Sequence, residues 1–301
     1  MMPPWLLRAH KLGARYGFAA TFAAALVANL LPLTAKYLPF SDLSGHMGLA
    51  GAMAHAIDVS EEDGVRYLHF GSRWIQGAMR LARPNALELE YTRDMMFPLL
   101  LRPGAWPRTV LLIGLGAASL TRFLWKHRPY AAQTVVEIEP RVIAVARQFF
   151  RLPEEGMRFA IDVADGADYV AFAERTFDLV LVDGYDAKGR TGVLDTLPFY
   201  CNALARLSPR GLLAANLLSR NHGIRGSLER MRAAFGGRAL ALPACASGNV
   251  VLVAAAGDAV AVDGVELVRR ARRLRAETGL DLAPTVRRLR ATLGADTPLR
   301  I

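Results

Sequence analysis

The chain has 301 residues, 52% of them hydrophobic, and a formal net charge of +10. That is enough apolar material for one large α/β domain and a smaller companion. Two cysteines, Cys201 and Cys245, exclude a disulfide framework, and neither they nor the six histidines have metal-ligand spacing. The charge is unevenly placed: residues 1–46 carry +3, residues 265–301 carry +5, and residues 47–264 carry +2. The basic ends lie outside the segment that holds the motifs, and no nucleic-acid-binding motif accompanies them. Nucleic acid is therefore not an expected partner. The stretch RRARRLRAETG (Arg269–Gly279) reads first as a solvated helix face, with docking to an acidic surface as the other reading.

In chain order, basic Arg8, Lys11 and Arg15 precede the uncharged run Tyr16–Ala35. Its length is near the ~20 residues that span a bilayer, and its basic–apolar–small order is that of a signal peptide. Its alanine content and Pro32 make it weakly hydrophobic for a span. A cytosolic extension, a start at Met47 or Met53, and a membrane anchor all stay open. The chemistry below draws on a cytosolic nucleoside, so the expected location is the cytoplasm. Residues 56–76 read as short strands with a turn at EEDG, and Leu87–Leu101 as a strand that becomes a helix. Pro103, Gly104 and Pro107 mark a boundary.

Strands and helices then alternate. TVLLIGLG, QTVVEIEP, MRFAIDVADG, FDLVLVDG and LLAANLL read as strands, with GNVVLVAAA a late one. The helices between them are AASLTRFLWKH, RVIAVARQFF, DYVAFAE and LPFYCNALARLSPRG, the last stopped by Pro209 and Gly211. Near-continuous apolar strands alternating with helices imply a parallel sheet covered on both faces, hence a doubly wound, Rossmann-like α/β fold. The expected layout is an extension (1–46), a small N-terminal β segment (47–104), a nucleoside-binding catalytic domain (105–256) and an arginine-rich helical tail (257–301).

Ligands of such sheets bind at the carboxyl ends of the strands. The first strand ends IGLGAAS, where Gly114 and Gly116 permit a sharp turn and close approach. Ser119 stands where a dinucleotide fingerprint has its third glycine. The second strand ends in Glu137, suited to accept both hydroxyls of a ribose, with Glu139 as competitor. The third ends VADG, where Asp165 could accept from an adenine amino group or simply form an Asp-Gly turn with Gly166. Together these ends favour a nucleoside of the S-adenosyl type.

The fourth strand brings Asp183 and Asp186 to the same edge. An alkylamine has a pKa of about 10 and is mostly ammonium at neutral pH. A carboxylate in reach can bind that ammonium and take its proton, and a second offsets the cost of drawing a dication out of water. A loop cap or a pair with Lys188 is the other reading of Asp186.

IGLGAAS, VVEIEP, VADG and VDGYD, in this order and spacing, resemble the spermidine synthase family of polyamine aminopropyltransferases; upstream, WIQGAMRLARPNALELEYTRDMM resembles that family's N-terminal segment. The similarity runs from about Asp58 to about Ala255. It implies transfer of an aminopropyl group from decarboxylated S-adenosylmethionine, a co-substrate rather than a prosthetic group, to a diamine such as putrescine. It also implies nucleoside contacts from Gly114, Gly116, Glu137, Asp165 and Gly166, a general base at Asp183, an amine anchor at Asp186, and pocket-lining roles for Gln76 and Tyr91. A homodimer through the N-terminal strands is a further family expectation. Departures fall on the amine side: Ala117 replaces an acid of the glycine loop, Thr92 a histidine or glutamine, and Ala187 a proline. An S-adenosylmethionine-dependent methyltransferase and a non-catalytic nucleoside-binding homologue are the alternatives on the same fold.

Overall fold

The computed structural model describes residues 56–71, 74–185, 191–218, 223–294 and 297–301. The expectations for residues 1–46 and for Asp186, Ala187 and Lys188 lie outside them.

Three antiparallel strands come first: β1 (Ile57–Glu62), β2 (Val65–Phe70) and β3 (Ile75–Arg80). Asp63 and Gly64 link β1 to β2 with φ of 50° and 71°, the conformation that a two-residue hairpin requires. The strand expected to begin at Leu87 is not formed. The chain enters two short helices instead, α1 (Glu90–Asp94) and α2 (Pro98–Leu101). The alternating LELE comes from ion pairing rather than a pleat: Glu88 binds Arg80 and Glu90 binds Arg288.

The main sheet contains β4 (Thr109–Ile113), β5 (Ala132–Glu137), β6 (Phe159–Val163), β7 (Phe177–Val182), β8 (Leu207–Leu218), β9 (Ala239–Ala241) and β10 (Asn249–Ala255). Their order is β6-β5-β4-β7-β8-β10-β9. The first five run parallel, while β10 is antiparallel to both β8 and β9. Between the strands lie α3 (Ser119–His127), α4 (Pro140–Phe149), α5 (Gly166–Phe172), α6 (Leu197–Ala205) and α7 (Ile224–Ala234). Alternate residues bury on opposite faces. Val110, Leu112 and Leu181 pack with α3 and α4; Leu111, Ile113 and Val182 pack with α5, α6 and α7. This is the doubly wound, mostly parallel sheet that the apolar strands imply. Helix α6 ends at Ala205, earlier than expected, and Pro209 lies inside β8. There the β7–β8 register jumps from Phe177↔Leu207 to Leu179↔Leu212, and in such an irregularity proline's missing N–H breaks no ladder bond.

The tail forms two helices, α8 (Gly264–Thr278) and α9 (Ala283–Leu293), closed by a short pair, β11 (Ala261–Val262) and β12 (Leu299–Arg300). Leu267, Ala271, Leu274, Val286 and Leu289 join the larger core. Outward arginines pair locally, Arg269 with Glu266 and Arg273 with Glu277, while the partly buried Arg270 pairs with Glu266 and donates to the Leu100 carbonyl at 2.9 Å. No helix among the described residues is long and apolar enough to cross a membrane.

Arg122 in α3 joins the small sheet segment to the main one. It is 1% exposed, and its Nε donates to the carbonyl of Pro84 at 2.8 Å. Its Nη1 donates to the carbonyls of Ala117 and Phe150. Burial pushes its pKa down to about 9, so it still carries its charge at neutral pH. Arg122→Met should strand three carbonyls, two of them buried, and lower stability by about 3 kcal/mol. Urea unfolding checks this, and an unchanged midpoint would refute the bridging role.

Candidate active site

The strand order reverses between β4 and β7, and their carboxyl ends lock together at that point. The amide of Asp183 donates to the carbonyl of Ile113 at 2.8 Å, and that of Gly114 to Val136 at 2.9 Å. Gly114 has φ of 93°, and a Cβ there would lie 2.4 Å from the Asp183 carbonyl oxygen. Only glycine lets the two main chains approach this closely. The loop beyond it packs against β3: a Cβ on Gly77 would lie 2.5 Å from that of Ala117, which is 3% exposed. Ser119 donates its hydroxyl to the carbonyl of Ala78 at 3.0 Å. The third fingerprint position thus serves as a tether to the small sheet.

Glu137, 7% exposed, closes the other side of the loop. Its Oε2 accepts from the Leu115 amide at 2.8 Å, its Oε1 from the Glu139 amide at 2.9 Å. Burial raises its pKa, and these main-chain donors oppose the rise. Glu139 is committed elsewhere: it caps α4 through the Arg141 amide at 3.0 Å and pairs with the Arg141 guanidinium. Asp165 caps α5, its Oδ1 accepting from Ala167 at 2.7 Å and Asp168 at 3.1 Å. Gly166 begins that helix, with its Cα against the Ile113 side chain. Gly116, at φ of 49°, turns the loop beside Gln76.

Asp183, half-buried, faces the same cleft as Gln76, Tyr91, Gly114 and Gly116. Its Oδ1 accepts from Asn216 Nδ2 at 2.9 Å, its Oδ2 from the Tyr91 hydroxyl at 3.3 Å. Burial raises the Asp183 carboxyl above the usual aspartate range, and both donors pull it back. Burial, then the Asp183 charge, holds the Tyr91 hydroxyl well above the usual phenol range, so it stays a donor. Thr92 turns inward, its hydroxyl donating to the Leu89 carbonyl at 2.6 Å. Among the described residues, no group of three or more His, Cys, Asp or Glu could hold a metal.

A family model described as "Spermine/spermidine synthase domain" matches residues 88–223. The polyamine aminopropyltransferase of Chromobacterium violaceum is 42% identical over 198 residues, covering 66% of this chain and 75% of that protein. The chain belongs to the spermidine synthase family. Solved structures agree on the fold. A probable spermidine synthase from Corynebacterium glutamicum aligns with a TM-score of 0.61 at 21% identity, covering 76% of this chain and 86% of the other. Human methyltransferase-like protein 13, solved in complex with SAH, aligns at 0.58 with 24% identity, covering 64% and 93%.

Sequence reasoning missed the structural roles of three residues in and around this cleft: Asn216, Arg122 and Ser119. Asn216 had a signal. It is the one polar residue in LLAANLL, a strand otherwise apolar and buried on both faces. Ser119 was noticed only as a missing glycine, and Arg122 looks like any arginine on an amphipathic helix.

The raised Asp183 pKa has a stability consequence. The folded protein holds the Asp183 proton more tightly than the unfolded chain does. The penalty for its ionised form is absent below the unfolded pKa near 4 and complete above the folded one. Asp183→Asn should therefore raise the melting temperature at about pH 8, with the gain fading toward about pH 4. Calorimetry across that range is the check, and a gain independent of pH would contradict it.

Proposed function

We propose that the protein transfers an aminopropyl group from decarboxylated S-adenosylmethionine to a polyamine such as putrescine, with Asp183 as general base. The observation that carries this reading is Asp183 itself: a carboxylate of raised pKa, held by Tyr91 and Asn216, at the end of β7 beside the glycine loop. A base works best when its pKa lies near the operating pH, and burial moves Asp183 in that direction.

The acceptor enters as an ammonium ion and gives one proton to the Asp183 carboxylate. The freed nitrogen lone pair attacks the methylene carbon next to the sulfonium. A C–N bond forms as the C–S bond breaks, and the bonding pair returns to sulfur as the neutral thioether of methylthioadenosine. The Tyr91 hydroxyl, its proton directed at Asp183, has lone pairs left to accept from the same ammonium. In this reading Asp186 anchors the distal amine and Gln76 lines its path.

On the nucleoside side, Glu137 has the chemistry for the ribose hydroxyls. The Leu115 and Glu139 amides, with the Ile138 amide beside them, take part of its acceptor capacity, and the remainder is left for a ligand. Asp165 retains Oδ2 beyond its capping bonds for an adenine amino group. The same reading places the enzyme in the cytoplasm, where such a donor is available, and gives it a dimeric state.

Calorimetric titration with decarboxylated and with ordinary S-adenosylmethionine, followed by product analysis with putrescine, tests the proposal. The decarboxylated donor should bind tighter and yield methylthioadenosine. Preference for the carboxylated donor would instead support a methyltransferase, for which Ala117 in place of an acid is the favouring feature. Asp183→Asn should nearly abolish turnover while keeping nucleoside affinity, and full activity in that variant would remove the base assignment. Glu137→Gln turns an amide N–H toward a main-chain N–H. It should weaken nucleoside binding by about 1–3 kcal/mol, roughly 10- to 100-fold in Kd. Unchanged affinity would count against Glu137 as the ribose ligand.

A further inference from the structure

Two buried amides remain unexplained by packing. Asn216 is 2% exposed and Asn249 8%, each in a strand whose neighbours are apolar. Placing such groups in a sheet interior is unfavourable unless each finds a partner. They find each other. On the antiparallel pair β8–β10, Asn249 lies opposite Leu218 and Asn216 opposite Val251, so the two are diagonal neighbours on one face. Asn249 Nδ2 donates to Asn216 Oδ1 at 3.0 Å. Ser247 Oγ donates to Asn249 Oδ1 at 2.7 Å, and Cys245 Sγ lies 3.0 Å behind Ser247 Oγ.

The direction of every bond follows from the last acceptor. An ionised Asp183 can only accept, so Asn216 must show it the NH2 group. The Asn216 carbonyl then faces Asn249, which must present its own NH2, leaving its carbonyl for the Ser247 hydroxyl. Ser247 has spent its proton there, so Cys245 S–H is the donor to it. The dipoles of the chain all point toward the Asp183 carboxylate, an arrangement in which each bond strengthens the next.

We propose that Asn216 and Asn249 act as a positioning relay that holds Asp183 as an oriented carboxylate. Asn216 is the direct donor, and Asn249 acts through it by forbidding the flipped amide. The inference rests on reading Asp183 as the base. The other titratable groups facing this centre are Tyr91 from α1 and Tyr185 beside Asp183, with Cys245 facing Tyr91. Burial keeps both tyrosines neutral, so no charged side chain among the described residues competes with the relay for Asp183.

The test uses Asn216→Leu, Asn249→Leu and the double variant, each checked for native circular dichroism. The double variant removes both amides together and leaves neither orphaned between the strands, so it stays informative where a single change disrupts folding. The first readout needs no ligand: the Asp183 carboxyl resonance, assigned with Asp183→Asn, is titrated by carbon-13 NMR. The midpoint should rise by about one pH unit in Asn216→Leu and less in Asn249→Leu. Adding Asn249→Leu to Asn216→Leu should give no further rise. An unmoved midpoint in a folded Asn216→Leu or double variant overturns the proposal, as does a full additive shift from Asn249→Leu. The second readout is the acid limb of the kcat/KM profile, which should move upward by the same amount. If the carboxyl midpoint moves while the acid limb stays fixed, or if the unsubstituted protein shows no turnover, the relay stands and the base reading fails.

Discussion

Everything in the cleft depends on how closely β4 and β7 meet at their carboxyl ends. With no side chain at Gly114, the glycine loop lies directly on the main chain of Asp183, and the Asp183 amide is bonded back to Ile113. The glycine loop and the acid are therefore two surfaces of one backbone junction. A methyl group at position 114 would need space already held by a carbonyl oxygen, and relieving that clash would move Asp183 and the loop apart. The geometry needed to bring two reactants together is thus built in before any side chain is considered.

Around this junction the polar groups divide into two types. Some are committed to holding the backbone: Ser119 to β3, Glu139 to α4 and Arg122 to three carbonyls. Others hold something and keep capacity in reserve, as Glu137, Asp165, Tyr91 and Asp183 do. The second type is what a binding site needs: side chains already fixed by the protein, with lone pairs left over for a ligand.

The fold was legible because parallel strands buried on both faces read as near-continuous apolar runs, as in Val110–Ile113 of β4, Leu179–Val182 of β7 and Leu212–Ala215 of β8. The misreadings came from long-range partners. The LELE stretch imitates a strand because its acids answer Arg80 and, almost two hundred residues away, Arg288. Pro209 looked like a helix stop because a register irregularity in β8 has no local signature. Within the site, glycines and strand-end acids could be found by spacing. The preference for Glu137 over Glu139 had only position behind it, since both lie at one strand end and the commitment of Glu139 to the cap of α4 has no local signature. The partners of Asp183 were harder still. Tyr91 came through family resemblance alone, and Asn216 lies in a strand whose apolar run drew attention away from its one amide.

Tyr91 lies between Glu90 and Asp94 on the single turn of α1, and both acids are held by the far end of the chain. Arg288 pairs with each, and the Thr285 hydroxyl donates to Asp94, which is 2% exposed. The arginine-rich tail is therefore no detachable appendage. Shortening the protein before α9 would leave Asp94 buried without a counter-charge, next to the turn that presents Tyr91 to Asp183. The carboxyl terminus and the chemistry are far apart in sequence yet mechanically continuous. The boundary of the working unit thus lies at the last helix, not at the end of the sheet.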